Sequence, residues 1–289
     1  MDKVLVTGGL GFIGSHLVER LRKENEVVIL DREGGDIKKE LRDITEKDLK
    51  GVKTVYHLAA EADVKSEAQK HFDDNILSTF VLLQRMKASG VRDLVFMSSS
   101  TVYGEPSVMP TPESYGPLKP ISVYGASKLA CEALISSFCY SYGMEASVFR
   151  LANVIGKGCH GVIRDFIEKL RKEPGTLEIL GDGKQRKSYL YIDDVIDGII
   201  LGHSKRESRV EMYNLGSDDW VEVTEIARIV AKAMKLNPEF EFKDTLGGRG
   251  WVGDVKTMLL DCSRMKEKGW RAENSRKAVE RTVRETLKE

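Results

Sequence analysis

The chain opens with a strand-like apolar run that passes directly into a glycine-rich turn, KVLVTGGLGFIG over residues 3–14. Glycines at positions 8, 11 and 14 allow a tight turn and let backbone N–H groups approach a pyrophosphate. The following residues, 12–23, have helical periodicity, and such a helix would direct its positive N-terminus at the same anion. We interpret this segment as a nucleotide-binding loop, although its spacing differs by one residue from the commonest dinucleotide fingerprint.

A second apolar run follows the predicted helix and ends on an acid. Residues 27–30 would form a strand, and Asp31 would stand at its end, which completes a strand–helix–strand unit. A carboxylate there accepts hydrogen bonds from the adenosine ribose and repels a 2′-phosphate, so Asp31 favours NAD over NADP. Arg32 weakens this preference slightly. An ordinary strand–turn–helix is the alternative; it is less favoured when the strand, glycines, helix and acid are taken together.

Charge and composition exclude several classes of function. Lysine plus arginine and aspartate plus glutamate both total 45, so no basic face supports nucleic-acid binding. The four cysteines lack metal-type spacing, so we predict no metal site and reduced thiols. We recognise no signal peptide and no run of about 20 apolar residues that could cross a bilayer. We therefore expect a cytoplasmic protein that does not associate with membranes.

Strand-like and helical segments alternate through the first half of the chain. Strands are predicted over residues 54–58, 93–97 and 146–151, each separated from the next by a helical segment. This pattern predicts an α/β fold with a doubly wound parallel sheet, a Rossmann fold, whose site lies at the carboxyl ends of the strands. We predict an NAD-binding domain over residues 1–153, rejoined by parts of about 190–235, and a smaller interleaved substrate-binding lobe over mainly 154–289.

Acid–base chemistry is indicated by a tyrosine and a lysine four residues apart. On a helix, Tyr124 and Lys128 would share one face. A free tyrosine has a pKa near ~10, which a neighbouring ammonium and a nicotinamide cation would lower. Ser98, Ser99 and Ser100 follow a predicted strand, and a hydroxyl there could bridge a substrate oxygen to the phenol. The alternative is an amphipathic helix with a tyrosine at its edge.

Taken together, these motifs resemble the extended short-chain dehydrogenase/reductase family, and within it the UDP-glucose 4-epimerase-like nucleotide-sugar epimerases. The resemblance covers nearly the whole chain. The segments that carry it are residues 7–14, Asp31, 43–44, 57–60, Asn75, 98–104, 124–128, 150–153 and 181–194. Jointly they specify the family much more closely than any one substrate.

The resemblance implies a tightly bound NAD that is not consumed. It implies cofactor contacts from Gly8, Gly11, Phe12, Ile13, Gly14, Asp31, Asp43, Ile44, Leu58, Ala59, Ala60, Asn75, Ser98, Tyr124 and Lys128. Asp43 and Ile44 would lie against the adenine, and Lys128 would also hold the nicotinamide ribose.

The catalytic and substrate residues are implied in the same way. Ser99, Tyr124 and Lys128 would be catalytic, with Ser99 chosen by alignment without a gap and Ser100 as the fallback. Substrate contacts would come from Ser99, Ser100, Tyr124, Asn153, Lys187 and Arg249. Lys187 stands where many relatives have an arginine, which alone offers a bidentate fork to phosphate; Arg186 lies beside it, and either cation could reach the diphosphate. A structural role for Asn153 and an unpaired surface charge for Arg249 are the alternatives.

The implied reaction is 4-epimerisation of a nucleotide-linked hexose, in the first instance UDP-glucose and UDP-galactose, through a 4-keto intermediate. Dehydratase relatives carry an Asp-Glu pair where Ser100 and Thr101 stand, and decarboxylating relatives usually carry a glutamate at the second position. A reductase is a further alternative, as is a non-catalytic NAD-binding regulator, although such regulators usually lack the tyrosine–lysine pair. A homodimer through helices around residues 80–86 and 131–138 is also expected.

Overall fold

The computed structural model describes residues 1–244 and 247–288, which divide into two compact units. Unit 1 comprises Met1–Val102, Val123–Arg150 and Ile196–Tyr213, and unit 2 comprises Tyr103–Ser122, Leu151–Val195 and Asn214–Glu289. Residues 103–122 and 214–235 therefore lie in unit 2, whereas the sequence assigned the first segment, and part of the second, to the NAD-binding domain. The reason is long-range bonding that no local pattern reveals: Asn214 donates to the carbonyl of Thr111 and accepts from the phenol of Tyr103.

The strands and helices are numbered in chain order. The strands are β1 (Asp2–Thr7), β2 (Asn25–Asp31), β3 (Ile37–Lys38), β4 (Thr54–His57), β5 (Asp93–Ser99), β6 (Glu145–Leu151), β7 (Asn153–Ile155), β8 (Thr176–Leu180), β9 (Arg186–Lys187), β10 (Tyr189–Tyr191), β11 (Val210–Leu215), β12 (Val221–Glu222), β13 (Glu239–Lys243) and β14 (Thr257–Met258). The α-helices are α1 (Phe12–Leu21), α2 (Ala68–His71), α3 (Ser78–Ser89), α4 (Val123–Tyr142), α5 (Val162–Lys172), α6 (Ile192–Ser204), α7 (Val223–Ala233), α8 (Ser263–Glu267) and α9 (Ser275–Thr286). A π-helical segment, Phe72–Leu77, joins α2 to α3, and short 3₁₀ helices occur at Leu41–Asp43, Glu46–Leu49 and Ser100–Tyr103.

The central sheet has seven strands in the order β11-β6-β5-β4-β1-β2-β3. Strand β1 pairs in parallel with both β2 and β4, and the β2–β3 and β4–β5 pairs are also parallel. The order reverses at β1, and in such sheets ligands bind outside the carboxyl ends of the strands at this reversal. The predicted doubly wound α/β fold is confirmed.

Helices cover the sheet because their apolar faces match those of the strands. Leu82, Leu83 and Met86 of α3 pack in one core cluster with Ile135 and Phe138 of α4. Parallel sheets are buried on both faces, which is why their strands are almost continuously apolar. The two helices that were expected to form a dimer thus use most of their apolar side chains inside unit 1.

Unit 2 consists of small sheets and amphipathic helices. Its strand pairs are β7–β10, β8–β13 and the three-stranded β12-β9-β14. Helix α5 buries Ile163, Phe166, Ile167 and Leu170, a spacing that places all four on one face. Helix α9 begins after Asn274, whose side chain accepts a hydrogen bond from a backbone N–H three residues later.

Two findings concern the whole described chain. Over residues 1–244 and 247–288, no helix is long and apolar enough to span a membrane. Over the same residues, no cluster of three or more histidine, cysteine, aspartate or glutamate side chains could hold a metal ion. The four cysteines are buried free thiols.

An ion-pair network stands at the start of β5. The carboxylate of Asp93 accepts from Thr54 Oγ1 at 2.6 Å and Arg206 Nη1 at 2.6 Å, and it lies 3.2 Å from His203 Nε2. Burial alone would raise the pKa of Asp93, but hydrogen bonds and positive charge, first from His203, outweigh it and lower the pKa to about 2. Asp93 therefore stabilises the folded state as a carboxylate.

We expect Asp93→Asn to destabilise the protein near neutral pH by about 2 kcal/mol. The ionised carboxylate of Asp93 has a lower pKa in the folded than in the unfolded protein, so it stabilises the fold fully only at a pH above the unfolded pKa. In the parent protein this stabilisation is lost as the pH falls from about 4 to about 2, so the variant should lose less stability over that window. Urea unfolding across the pH range measures both effects. Asp197→Asn, which neutralises an exposed aspartate on α6, is the control. Parallel stability curves for the parent and Asp93→Asn would contradict this assignment.

Candidate active site

Two glycines of the first loop are required by close backbone contacts. Gly8 has a φ of +70°, and a Cβ there would lie 2.6 Å from the backbone nitrogen of Ala59. A Cβ on Gly14 would lie 2.1 Å from the carbonyl oxygen of Gly8. Side chains at either position would push the loop away from β4 and α1. The glycines therefore hold the carboxyl ends of β1 and β4 and the N-terminus of α1 close together.

Asp31 is fixed beside this loop by two backbone donors. Its Oδ2 accepts from the N–H of Leu10 and its Oδ1 from the N–H of Glu33, each at 3.1 Å. The acid at the end of β2 is thus held in one orientation at the mouth of the glycine loop. This is the position from which a carboxylate can bind ribose hydroxyls.

A cavity of about 340 Å³ lies at these strand ends within unit 1, in the size range of small-molecule sites. Its lining residues are Gly8, Leu10, Gly11, Leu30, Asp31, Arg32, Glu33, Lys39, Glu40, Leu41, Leu58, Ala59, Ala60, Asp74 and Ser78. Six of the residues predicted to contact the cofactor are among them. Sequence reasoning missed the segment from Lys39 to Leu41, because a loop that follows a two-residue strand has no periodicity to read.

Other predicted cofactor residues lie elsewhere. Phe12, Ile13 and Gly14 form the first turn of α1, where backbone N–H groups have no partner within the helix. Asp43 is exposed, and Ile44 lies in the hydrophobic core with 1% of its surface exposed. Neither lines the cavity, so their contact with adenine stays a prediction.

Both polar atoms of the Asn75 side chain are hydrogen-bonded to other residues of the protein. Its Oδ1 accepts from the N–H of Glu61 at 2.7 Å, and its Nδ2 donates to the Glu61 carbonyl at 3.1 Å and to Ser127 Oγ at 2.9 Å. It therefore ties the loop after β4 to helix α4. These bonds occupy the side-chain groups with which Asn75 was expected to contact the cofactor, so that contact also stays a prediction.

The three predicted catalytic residues come together where β5 ends and α4 begins. The hydroxyl of Ser99, the last residue of β5, is hydrogen-bonded to the phenol of Tyr124. Lys128 lies one turn further along α4, with its Nζ 5.9 Å from the centre of the Tyr124 ring. Its ammonium donates to the carbonyl of Met97 at 2.9 Å. Ser100 begins the following 3₁₀ helix and is 6% exposed.

Burial acts on the two titratable groups in opposite directions. Loss of solvent raises the pKa of Tyr124 to about 12, although the hydrogen bond with Ser99 opposes it. Loss of solvent lowers the pKa of Lys128 to about 8, and the neighbouring Cys131 and Glu132 oppose that shift. At Tyr124 desolvation outweighs the hydrogen bond with Ser99, and the lowering of the pKa expected from a nicotinamide cation beside it stays a prediction.

Ser98, expected to contact the cofactor, has a different partner. Its hydroxyl donates to Glu132 Oε1 at 2.6 Å, and both side chains are buried. Arg150 of β6 donates to the same carboxylate from Nε at 3.0 Å and from Nη2 at 2.7 Å. Sequence reasoning missed Glu132 and Arg150. The signal for Glu132 was its position four residues after Lys128, on the same helix face.

The predicted substrate residues of unit 2 are already engaged. Asn153 is hydrogen-bonded to the buried phenol of Tyr189. Lys187 forms an ion pair with the carboxylate of Asp254. Arg249 pairs with Glu105 at 2.7 Å and donates to the carbonyl of Asp254. Asp254 therefore links Lys187 to the loop that carries Arg249.

Comparison with known proteins agrees with this geometry. The sequence model of the NAD dependent epimerase/dehydratase family matches residues 4–216. The chain belongs to this family. It is 32% identical to a putative UDP-glucose 4-epimerase of Methanocaldococcus jannaschii, over 97% of each chain. A crystal structure of a UDP-galactose 4-epimerase superposes with a TM-score of 0.87 and 38% identity, over 99% of each chain.

Other relatives are about equally similar, and one of them is a decarboxylase. MoeE5 in complex with UDP-glucose and NAD superposes with a TM-score of 0.89 and 30% identity, over 99% of each chain. UDP-glucuronic acid decarboxylase 3 of Arabidopsis thaliana is 32% identical, over 93% of this chain and 84% of the relative. The protein is therefore a member of an NAD-dependent enzyme family that acts on nucleotide sugars, and its individual reaction has to be argued from its own residues.

The residues at the strand ends fit NAD. Gly8 keeps the loop free of side chains where a pyrophosphate would approach, and α1 offers its N-terminus to it. Asp31 stands at the end of β2, where an adenosine ribose would lie, with its carboxylate already oriented. Arg32, which could favour a 2′-phosphate, lies 3.4 Å from the carboxylate of Asp74.

We expect Asp31→Asn to weaken NAD binding roughly ten- to hundredfold, because hydrogen bonds to a charged group contribute about 1.5–3 kcal/mol. The affinity for NADP should fall less or rise, since the charge that repels a 2′-phosphate is gone. Calorimetric titration of cofactor-free protein with each nucleotide measures both affinities. Glu26→Gln removes an exposed acid at the other end of β2 and should change neither. An unaltered ratio of the two affinities in Asp31→Asn would show that another group selects the cofactor.

Proposed function

We propose that the protein is a 4-epimerase of a nucleotide-linked hexose that interconverts UDP-glucose and UDP-galactose through a 4-keto intermediate. The observation that carries the proposal is the hydrogen bond between Ser99 and Tyr124 at the strand ends of an NAD-binding fold. Ser100 and Thr101 occupy the two positions after Ser99, where dehydratase relatives carry acids. The chain thus has the groups for oxidation at C4 and lacks the acid pair for dehydration at those positions.

Tyr124 acts as the base that removes the proton of the C4 hydroxyl, and Ser99 polarises the phenol through the hydrogen bond between them. Bound NAD⁺ supplies the hydride acceptor and donor at C4, and its positive charge opposes the effect of burial on the pKa of Tyr124. Lys128 adds a second positive charge near the Tyr124 ring and, by resemblance, binds the nicotinamide ribose. The reaction involves no net oxidation, so NAD would act as a tightly bound group that is not consumed.

Thr101 sets the direction of the hydrogen bond on which this mechanism depends. Its N–H and its Oγ1 both donate to the oxygen of Ser99, at 3.2 and 2.9 Å. With its oxygen accepting these two bonds, Ser99 has its own hydrogen free to donate to Tyr124. A donor aimed at the phenol oxygen stabilises the phenolate, which is the form that accepts a proton. The threonine therefore acts through Ser99 on the base.

We also propose that Asn153, Lys187 and Arg249 bind the diphosphate of the substrate. The two cations pair with carboxylates in the absence of substrate, Lys187 with Asp254 and Arg249 with Glu105. A diphosphate offers these cations stronger acceptors than a single carboxylate does.

A homodimer in the cytoplasm is proposed as well. Phe72 and Val123 are 49% and 48% exposed, and both line a cavity of about 360 Å³ with a mainly apolar surface. These side chains, rather than the buried faces of α3 and α4, would meet the second copy. Analytical ultracentrifugation that finds only monomer at every concentration would contradict this.

Transfer of deuterium separates the possible reactions. With a UDP-hexose deuterated at C4, we expect the label at C4 of the inverted product, because the hydride stays on bound NAD. A dehydratase would deliver the label to C6, and a dehydrogenase would pass it to free NAD⁺. In a parallel assay with UDP-glucuronic acid as substrate, a decarboxylase would release CO₂. Mass spectrometry and NMR of the products locate the label. Any of these three other outcomes refutes epimerisation.

The matched variants for this experiment are two tyrosines on α4. Tyr124→Phe should lower turnover by at least ~100-fold, the low end of general-base contributions, and should leave NAD bound. Tyr140→Phe removes a phenol that is 66% exposed on the same helix and should be as active as the parent. Near-parental activity in Tyr124→Phe would show that another group is the base.

For the diphosphate, we expect Arg249→Ala to weaken UDP binding roughly ten- to hundredfold and to change kcat little, since a charged hydrogen bond is lost far from the reacting carbon. Glu105→Gln should strengthen UDP binding, because it removes the carboxylate that competes for Arg249. Arg164→Ala on α5, an exposed arginine paired with Glu168, is the control. Equal UDP affinity in the parent protein and Arg249→Ala would place the diphosphate elsewhere.

A further inference from the structure

The end of β5 is bonded to helix α4 residue by residue. Three consecutive residues of β5 each bond to a residue on one face of α4: the Met97 carbonyl to Lys128 at 2.9 Å, the Ser98 hydroxyl to Glu132 at 2.6 Å, and the Ser99 hydroxyl to Tyr124. The three helix residues are spaced by four, so they form a single row along the helix. The bonds of Met97 and Ser99 involve the catalytic residues Lys128 and Tyr124. The bond between Ser98 and Glu132, which we call the middle bond, is not explained by the proposed chemistry.

The middle bond is held in place by a buried ion pair. Glu132 and Arg150 have side chains that are 2% and 3% exposed, and the guanidinium donates to both carboxylate oxygens. Ser98 supplies a third donor to the same carboxylate. A buried carboxylate with this many charge-assisted partners has little freedom to move, and removing a partner leaves an uncompensated group. Strand β6 thereby fixes Glu132, and Glu132 fixes the end of β5.

We propose that Ser98 and Glu132 are positioning residues for the reaction: their hydrogen bond fixes the register of β5 against α4 at which Ser99 meets Tyr124 and Met97 meets Lys128. This inference rests on the proposed function. It assigns to the Ser98 hydroxyl a bond to helix α4 in place of the expected contact with the cofactor. Neither residue touches the substrate; each acts through its neighbour in the row.

Glu132 has a second, electrostatic effect on the same row. Its negative charge opposes the burial that lowers the pKa of Lys128 to about 8, so it helps to keep the ammonium protonated. The titratable and charged groups that the described residues place around this cluster are Tyr124, Lys128, Cys131 and Glu132 on α4, His57 on β4, His71 on α2 and Arg150 on β6. His57 is held neutral, since burial and the charge of Lys128 lower its pKa to about 3. Loss of the charge of Glu132 would therefore lower the pKa of Lys128 further.

Two substitutions separate register from charge. Ser98→Ala removes the hydrogen bond and keeps the charge of Glu132. We expect kcat to fall about 10-fold in the NAD-loaded enzyme, because small misplacements of reacting groups cost up to ~100-fold. KM and NAD affinity should stay within about twofold of the parent values, because the Ser98 hydroxyl is buried and bonded to Glu132. Ser147→Ala is the matched control, because this buried β6 hydroxyl bonds to His203 instead.

Glu132→Gln keeps the size of the side chain and an oxygen that can accept from Ser98, but it removes the charge. The basic limb of the kcat–pH profile should move to lower pH, because Lys128 loses the charge that holds its proton. In Ser98→Ala kcat should be lower at every pH, but the basic limb should lie at the same pH as in the parent protein. If Glu132→Gln does not fold, because its ion pair with Arg150 is lost, Ser98→Ala still tests the register.

A purely structural role would give other results. It would lower the stability of Ser98→Ala and Ser147→Ala alike and leave the kcat of the folded enzymes unchanged, which overturns the proposal. A basic limb unmoved in folded Glu132→Gln overturns the electrostatic part.

One readout does not depend on turnover. The ultraviolet difference spectrum of tyrosinate, corrected with Tyr124→Phe, follows the ionisation of Tyr124 in NAD-loaded protein. In Ser98→Ala this ionisation should move to higher pH, because the donor from Ser99 is displaced. An unmoved titration refutes the positioning role even if no UDP-hexose is turned over, whereas a moved titration without turnover would refute only the proposed function.

Discussion

The close approach of β1 to β4 is the constraint on which the cofactor end of the site depends. Without side chains on Gly8 and Gly14, the loop after β1 lies against Ala59 and the N-terminus of α1 lies against the loop. This contact creates a surface of backbone N–H groups at the point where the strand order reverses, and such a surface suits an anion. Asp31 stands at the end of the neighbouring strand, where its fixed carboxylate would favour a ribose without a 2′-phosphate.

Burial is the physical effect that sets the chemistry of the other end. The same loss of solvent raises the pKa of Tyr124 to about 12 and lowers that of Lys128 to about 8, which brings both away from their charged forms. A further positive charge near the phenol, such as that of an oxidised nicotinamide, would oppose the shift at Tyr124.

The sequence predicted the fold class and the motifs well, because both depend on local patterns. Strand periodicity, glycine spacing and the four-residue separation of Tyr124 and Lys128 are visible in short windows. The partners of Ser98 and Asn75 were missed because each bond joins residues far apart in the chain, at Glu132 and Ser127. The assignment of residues 103–122 to unit 2 has the same cause. The balance between desolvation and hydrogen bonding at Tyr124 also depends on three-dimensional packing, which no local pattern shows.

The identity of residue 101 connects the choice of reaction to the geometry of the base. Thr101 gives two hydrogen bonds to Ser99, one from its backbone and one from its hydroxyl. An ionised acid at this position would have no proton to donate from its side chain, and its negative charge would disfavour the phenolate. A chain that carries threonine there retains a stronger donor to Tyr124 and forgoes a group that acts at C5 or C6 of the sugar. In the proposed epimerase, the side chain that argues against dehydration therefore also favours the phenolate that would remove the C4 proton.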